Sequence, residues 1–174
     1  MIIPAVLLGL LAGLFTKTVD LAEDNSLKIN GMLVNLTGIT YGLLLALAAY
    51  KYNALAPLIV AVVAAVIITG KMDAKGHYFG MASFVFFLAL FGAGPVAVAP
   101  LMMFFAAAVL DEKAGDLADR KYFRNKTISK ILGYRPFLEL TTLVFAALTG
   151  LWLVWFYLLA FDITYLLTPQ LMKA

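Results

Sequence analysis

The chain has no cysteine, which excludes disulfides, thiolate metal centres and cysteine nucleophiles. Charge is scarce as well. Only 13% of residues are Asp, Glu, Lys or Arg, beside 64% hydrophobic residues and a mean hydropathy of +0.97. Soluble domains carry about 25% charged residues, so an ordinary soluble domain is excluded. The apolar blocks run about 15 to 25 residues, enough to cross about 30 Å of hydrocarbon as helices, and they lack the two-residue alternation of outer-membrane strands. The expected fold is therefore all-α, a polytopic transmembrane helical bundle. With 174 residues it is read as a single domain with little room for a soluble module. Two halves of three spans each, 1–77 and 78–174, have the layout of inverted repeats but share no residue pattern.

Six spans are expected. The first, 2–19, has no basic stretch ahead of Lys17 and no cleavage site of small residues, so it reads as a retained span. The second and third cover 31–50 and 54–69, with Pro57 in the third span's first turn, where a missing N–H costs least. The uncharged run 79–110 is too long for one crossing and is divided at Gly92, Gly94 and Pro95 into the fourth and fifth. Pro136 then heads a sixth span, 137–161.

The one long polar segment, 111–136, holds seven of the thirteen Lys and Arg residues, namely Lys113, Arg120, Lys121, Arg124, Lys126, Lys130 and Arg135. Such a loop belongs on the cytoplasmic side. Six crossings put Lys17, Lys28, Lys71 and Lys75 on that face too, leaving Lys51 and Lys173 opposite and both termini outside. The cell membrane is the expected location. Because orientation accounts for the basic residues, the net charge of +3 does not point to nucleic acid.

The acids concentrate on the same face, although the positive-inside rule makes no demand for them. Continued as helix, the first span places Asp20, Glu23 and Asp24 on one face, and the fifth adds Glu112, Asp116 and Asp119 with Asp111 at the edge. Like charges so placed repel, and a hard cation offsets the cost. Mg²⁺ is the expected cofactor, since it takes oxygen ligands and is held by a few carboxylates together with substrate phosphate. The expected metal ligands are thus Asp20, Glu23, Asp24, Asp111, Asp116 and Asp119. Lys71, Lys113, Arg120 and Arg124 are expected to neutralise phosphate, with Asp73 or His77, the sole histidine, as general base.

Acids that hold a metal beside bases that hold a phosphate, at the ends of membrane helices, suit a lipid phosphate or diphosphate as substrate. The expected function is a Mg²⁺-dependent intramembrane enzyme acting by transfer or hydrolysis. The alternative is a small transporter or channel working as a homo-oligomer, and a third is a membrane scaffold. Mid-span positions free of ionisable side chains count against coupled transport.

Remaining expectations concern single residues. Glu139 has Arg135 four residues earlier as its partner, Asp162 stands at the outer end of the last span, and 125–134 forms an amphipathic interfacial helix. The acidic turns resemble in part those of UbiA-type prenyltransferases and CDP-alcohol phosphotransferases. DLAED and DEKAGDLADR depart from NDxxDxxxD and DGxxAR, however, and no family's residues are carried over.

Overall fold

In hydrocarbon a backbone must satisfy its own hydrogen bonds, so apolar runs of this length have little choice but to be helical. A computed structural model describes residues 2–24, 26–72, 74–92, 94–120, 122 and 126–172. It is built from α1 (Ile2–Glu23), α2 (Gly31–Lys51), α3 (Ala56–Ile68), α4 (Lys75–Phe91), α5 (Val98–Asp119), α6 (Lys126–Gly133), α7 (Pro136–Thr149) and α8 (Trp152–Leu171). No strand occurs among the described residues. Of these helices α1, α2 and α8 are long and apolar enough to cross a membrane, while α3, α4 and α7 are shorter apolar helices.

Local chemistry sets the boundaries. The Asn30 side chain caps α2 by accepting from the Met32 N–H at 2.8 Å. Pro57 sits in the first turn of α3 and Pro136 in that of α7. The reversal expected near Gly94 and Pro95 is a true break, since the chain leaves helix at Phe91 and re-enters it at Val98.

The expected sixth span is two helices. Gly150 adopts φ 74° and its N–H returns to the Ala146 carbonyl, a left-handed C-cap that Gly adopts at no steric cost. The chain then turns back, and α8 continues past Asp162 to Leu171. Asp162 therefore lies mid-helix, correcting its expected place at an outer end.

Glycines decide which helices touch most closely. A Cβ at Gly38 would overlap the carbonyl of Gly76, and one at Gly42 that of Gly80, so GITYG on α2 and GHYFG on α4 form facing pairs with four-residue spacing. Gly9 and Gly13 of α1 meet Tyr157 and Phe161 of α8 in the same way. Small residues at this spacing let membrane helices approach backbone to backbone. The pairings 9 with 157 and 13 with 161 also make α1 and α8 parallel, so the start of α1 and the end of α8 lie at opposite ends of the bundle.

Contacts run from α1 to α2, α3, α5, α7 and α8, then back to α1, closing a ring, with α4 packed on α2 and also touching α1. Tyr41, Leu58, Phe104 and Val154 are among its fully buried side chains.

Candidate functional site

Inside the ring lies a cavity of about 160 Å³. Its two ends differ. Leu45, Leu58, Ile59, Val62, Met81 and Leu158 line an apolar end, whereas Asp20, Lys71, His77, Glu112, Arg135 and Tyr165 gather at the other. Along α3, Leu58 and Val66 are eight residues apart, which makes the apolar section about 12 Å deep at 1.5 Å per residue.

Asp20 is the hub of the polar end. Its carboxylate lies 2.7 Å from His77 Nε2 and 3.2 Å from Lys17 Nζ, and accepts a hydrogen bond from the Tyr165 hydroxyl. On the other side of the imidazole, Nδ1 stands 3.1 Å from the Tyr41 hydroxyl. A neutral imidazole donates from only one nitrogen. With the carboxylate facing Nε2, the proton belongs there, leaving Nδ1 to accept from Tyr41. Lys17 also lies 4.5 Å from the centre of the Tyr165 ring, a cation–π contact.

The glycine contact between α2 and α4 makes this geometry possible. Gly80 leaves room for the Tyr41 ring, which any Cβ there would overlap, and Tyr41 thereby reaches His77 while 1% exposed. Glu23 steadies the same corner, accepting from the Gly76 N–H at 2.9 Å in the first turn of α4. A carboxylate there satisfies an orphan donor and complements the helix dipole.

At the α5–α7 corner, Asp111 accepts from the N–H groups of Phe137 at 2.9 Å and Leu138 at 2.7 Å. It thus caps α7, whose own N-cap residue, Arg135, makes no side-chain cap bond. Burial pushes the Asp111 carboxyl above the ordinary carboxylate range, while the two N–H donors pull it back. Glu112, 7% exposed along its side chain, pairs with Arg135 at 3.1 Å.

The expected metal ligands are not gathered in one place. Asp20 is engaged by His77, Tyr165 and Lys17, Glu23 caps α4, Asp111 caps α7, Asp116 pairs with Lys71, and Asp24 is exposed. Among the described residues no group of three or more His, Asp or Glu side chains could hold a metal ion. These side chains, each already partnered or exposed, do not fit the expected Mg²⁺ centre. Asp73, Arg124 and the Asp119 side chain lie outside the described residues.

Of the expected phosphate ligands, Lys71 lines the cavity, whereas Lys113 and Arg120 are exposed. Arg135 is joined to Glu112 and not to Glu139, as α5 brings Glu112 across the α7 N-terminus. Glu139 instead accepts from Trp155 Nε1 at 3.2 Å.

The chain matches no family model, no curated protein and no solved structure. Its reading rests on the cavity. Sequence reasoning missed Tyr41, Tyr165, Lys17 and Arg135 as members of the site. Tyr41 had a signal, a polar opening turn in the second span. Tyr165 had none while 137–161 was read as one crossing.

Proposed function

We propose that the chain is an intramembrane enzyme acting on the phosphate or diphosphate head of a lipid, by transfer or hydrolysis, at the cytoplasmic face. One observation carries this reading: a single cavity joins an apolar section to an end where a histidine–carboxylate pair stands with two cations. Such a cavity suits an amphiphile whose tail lies among Leu45, Leu58 and Leu158 and whose head meets Lys71 and Arg135. Asp20 orients the imidazole and stabilises its protonated form. Nδ1, released from Tyr41, then takes the proton of the attacking hydroxyl or water.

In this proposal the polar end is cytoplasmic and the bundle makes seven passes, α7 and α8 each counting as one. Lys51 is then the only described cation at the far end, in keeping with the positive-inside rule. The test uses purified protein in lipid nanodiscs, assayed for phosphate release or transfer from phosphatidic acid and farnesyl diphosphate, with Mg²⁺ and with EDTA. The wild type should turn over at least one substrate, and His77→Ala should lose about 100-fold or more. Absence of turnover in every wild-type arm refutes the reading.

A second reading is proton-coupled transport, favoured by Asp162, which stands mid-way along α8 with its carboxyl against Glu139 of α7. Paired carboxyls within a bundle are typical of proton relays. Substrate flux in proteoliposomes driven by a pH gradient, abolished by Asp162→Asn, would favour transport over catalysis.

A further inference from the structure

A second, smaller cavity of about 60 Å³ lies beside the first, lined by Tyr134, Arg135, Phe161, Asp162, Tyr165 and Leu166. Three of these residues, Arg135, Phe161 and Tyr165, also line the central cavity. They are the wall between the two. On its outer side the small cavity reaches Tyr134 and Leu166, 53% and 50% exposed, one at the α6–α7 junction and the other on α8.

Resting on the lipid-phosphate reading above, we propose that this groove is the lateral entry site through which a phosphate-bearing lipid passes from the bilayer into the central cavity. An amphiphile cannot drop in from the water side without dragging its tail through solvent, nor cross an apolar flank without stripping its charged head. A cleft open to the bilayer and carrying charge along its length avoids both costs. Here Asp162 and Arg135 lie on the route, and the guanidinium stands where a phosphate would be handed from groove to cavity.

The wall is also built to part. Phe161 and Tyr165 stack at 6.1 Å with an interplanar angle of 13°, two parallel plates one turn apart on α8. Opposite them, Arg135 holds φ 54°, the one described non-glycine residue with left-handed backbone. Such conformations are strained for a residue with a Cβ and cluster at ligand clamps and switches. Asp111 fixes the chain immediately after it through the Phe137 and Leu138 N–H groups, so displacement of α6 is taken up at Arg135.

Because the chain has no cysteine, the groove can be closed by chemistry without altering any other site. A double variant, Tyr134→Cys with Leu166→Cys, reconstituted in nanodiscs, is bridged by a reducible bifunctional thiol reagent. The initial rate of uptake of a fluorescent short-chain phosphatidic acid is then measured beside turnover. Bridging should slow uptake and turnover at least 10-fold, and reduction of the bridge should restore them. If the bridged protein takes up lipid at the unbridged rate, the portal is refuted while the enzyme reading stands. Should the wild type turn over neither phosphatidic acid nor farnesyl diphosphate, the enzyme reading falls and the portal with it.

Discussion

Removing one partner of the Arg135–Glu112 pair tests whether the polar end is held together by matched charge. Arg135→Met keeps the aliphatic stem and leaves Glu112 beside the cavity with its side chain 7% exposed and no cation at 3.1 Å. Breaking a buried pair typically costs about 3–5 kcal/mol, because the orphaned charge stays desolvated. The guanidinium is itself 49% exposed, so water already screens part of the interaction, and about 2–3 kcal/mol is the better expectation. A chain of this length loses about 2–4 °C in Tm per kcal/mol, which puts the variant roughly 5–10 °C below the wild type by thermal unfolding in detergent. Glu112→Gln in the same background removes the orphaned charge and should recover at least half of that loss. A single variant as stable as the wild type, or a double variant no better than the single, would show that the pair plays no part in holding α5 to the head of α7.

Gly42→Val forces a side chain into the Gly80 carbonyl and should separate α2 from α4, lowering the yield of folded protein and Tm by more than 5 °C. Gly31→Val, which meets nothing within 4 Å, is the control. Asp111 supplies a pH signature: its carboxyl is raised above its ordinary value of 3.8, so the folded chain binds more protons there than the unfolded one. Stability from this group therefore falls as pH rises through that window, and Asp111→Asn should flatten that part of the stability–pH profile while costing about 1–2 kcal/mol for the weakened cap. Single cysteines at Lys28, Lys75, Met172 and Lys51 should divide three to one in their accessibility to an impermeant maleimide in sealed vesicles. Met172 siding with Lys51 would overturn the seven-pass topology.

Most helices were legible from hydropathy because chains in hydrocarbon have few backbone options, and Gly92, Gly94 and Pro95 marked a real break. Gly150 escaped notice for a physical reason. Hydrophobic runs flank it on both sides, so neither length nor periodicity registers the turn, and only LTGLW carries a C-cap signal. Missing it misplaced Asp162 and Tyr165 and hid the parallel pairing of α1 with α8. Asp20, Glu23, Asp111 and Glu112 do lie at one end of the bundle, but their partners were not foreseeable. Whether a carboxylate binds a cation, a histidine or a helix N-terminus depends on which elements packing sets beside it, as Glu23 and Asp111 illustrate.

The same logic explains what holds the polar end in place. Each buried acid there already has donors: Asp20 takes His77, Tyr165 and Lys17, Asp111 takes two backbone N–H groups, and Glu112 takes Arg135. A buried carboxylate with its donors in place is kept close to its geometry before any substrate arrives. On the proposed reading, a phosphate entering this end would not have to assemble the histidine–carboxylate pair, only to displace Asp116 from Lys71. The Lys71–Asp116 contact is the cheaper to give up, its two side chains being 34% and 41% exposed, since exposed pairs contribute at most about 1 kcal/mol. The proposed reading therefore expects Lys71 to change partner first and Arg135, tied to a buried acid, to keep Glu112.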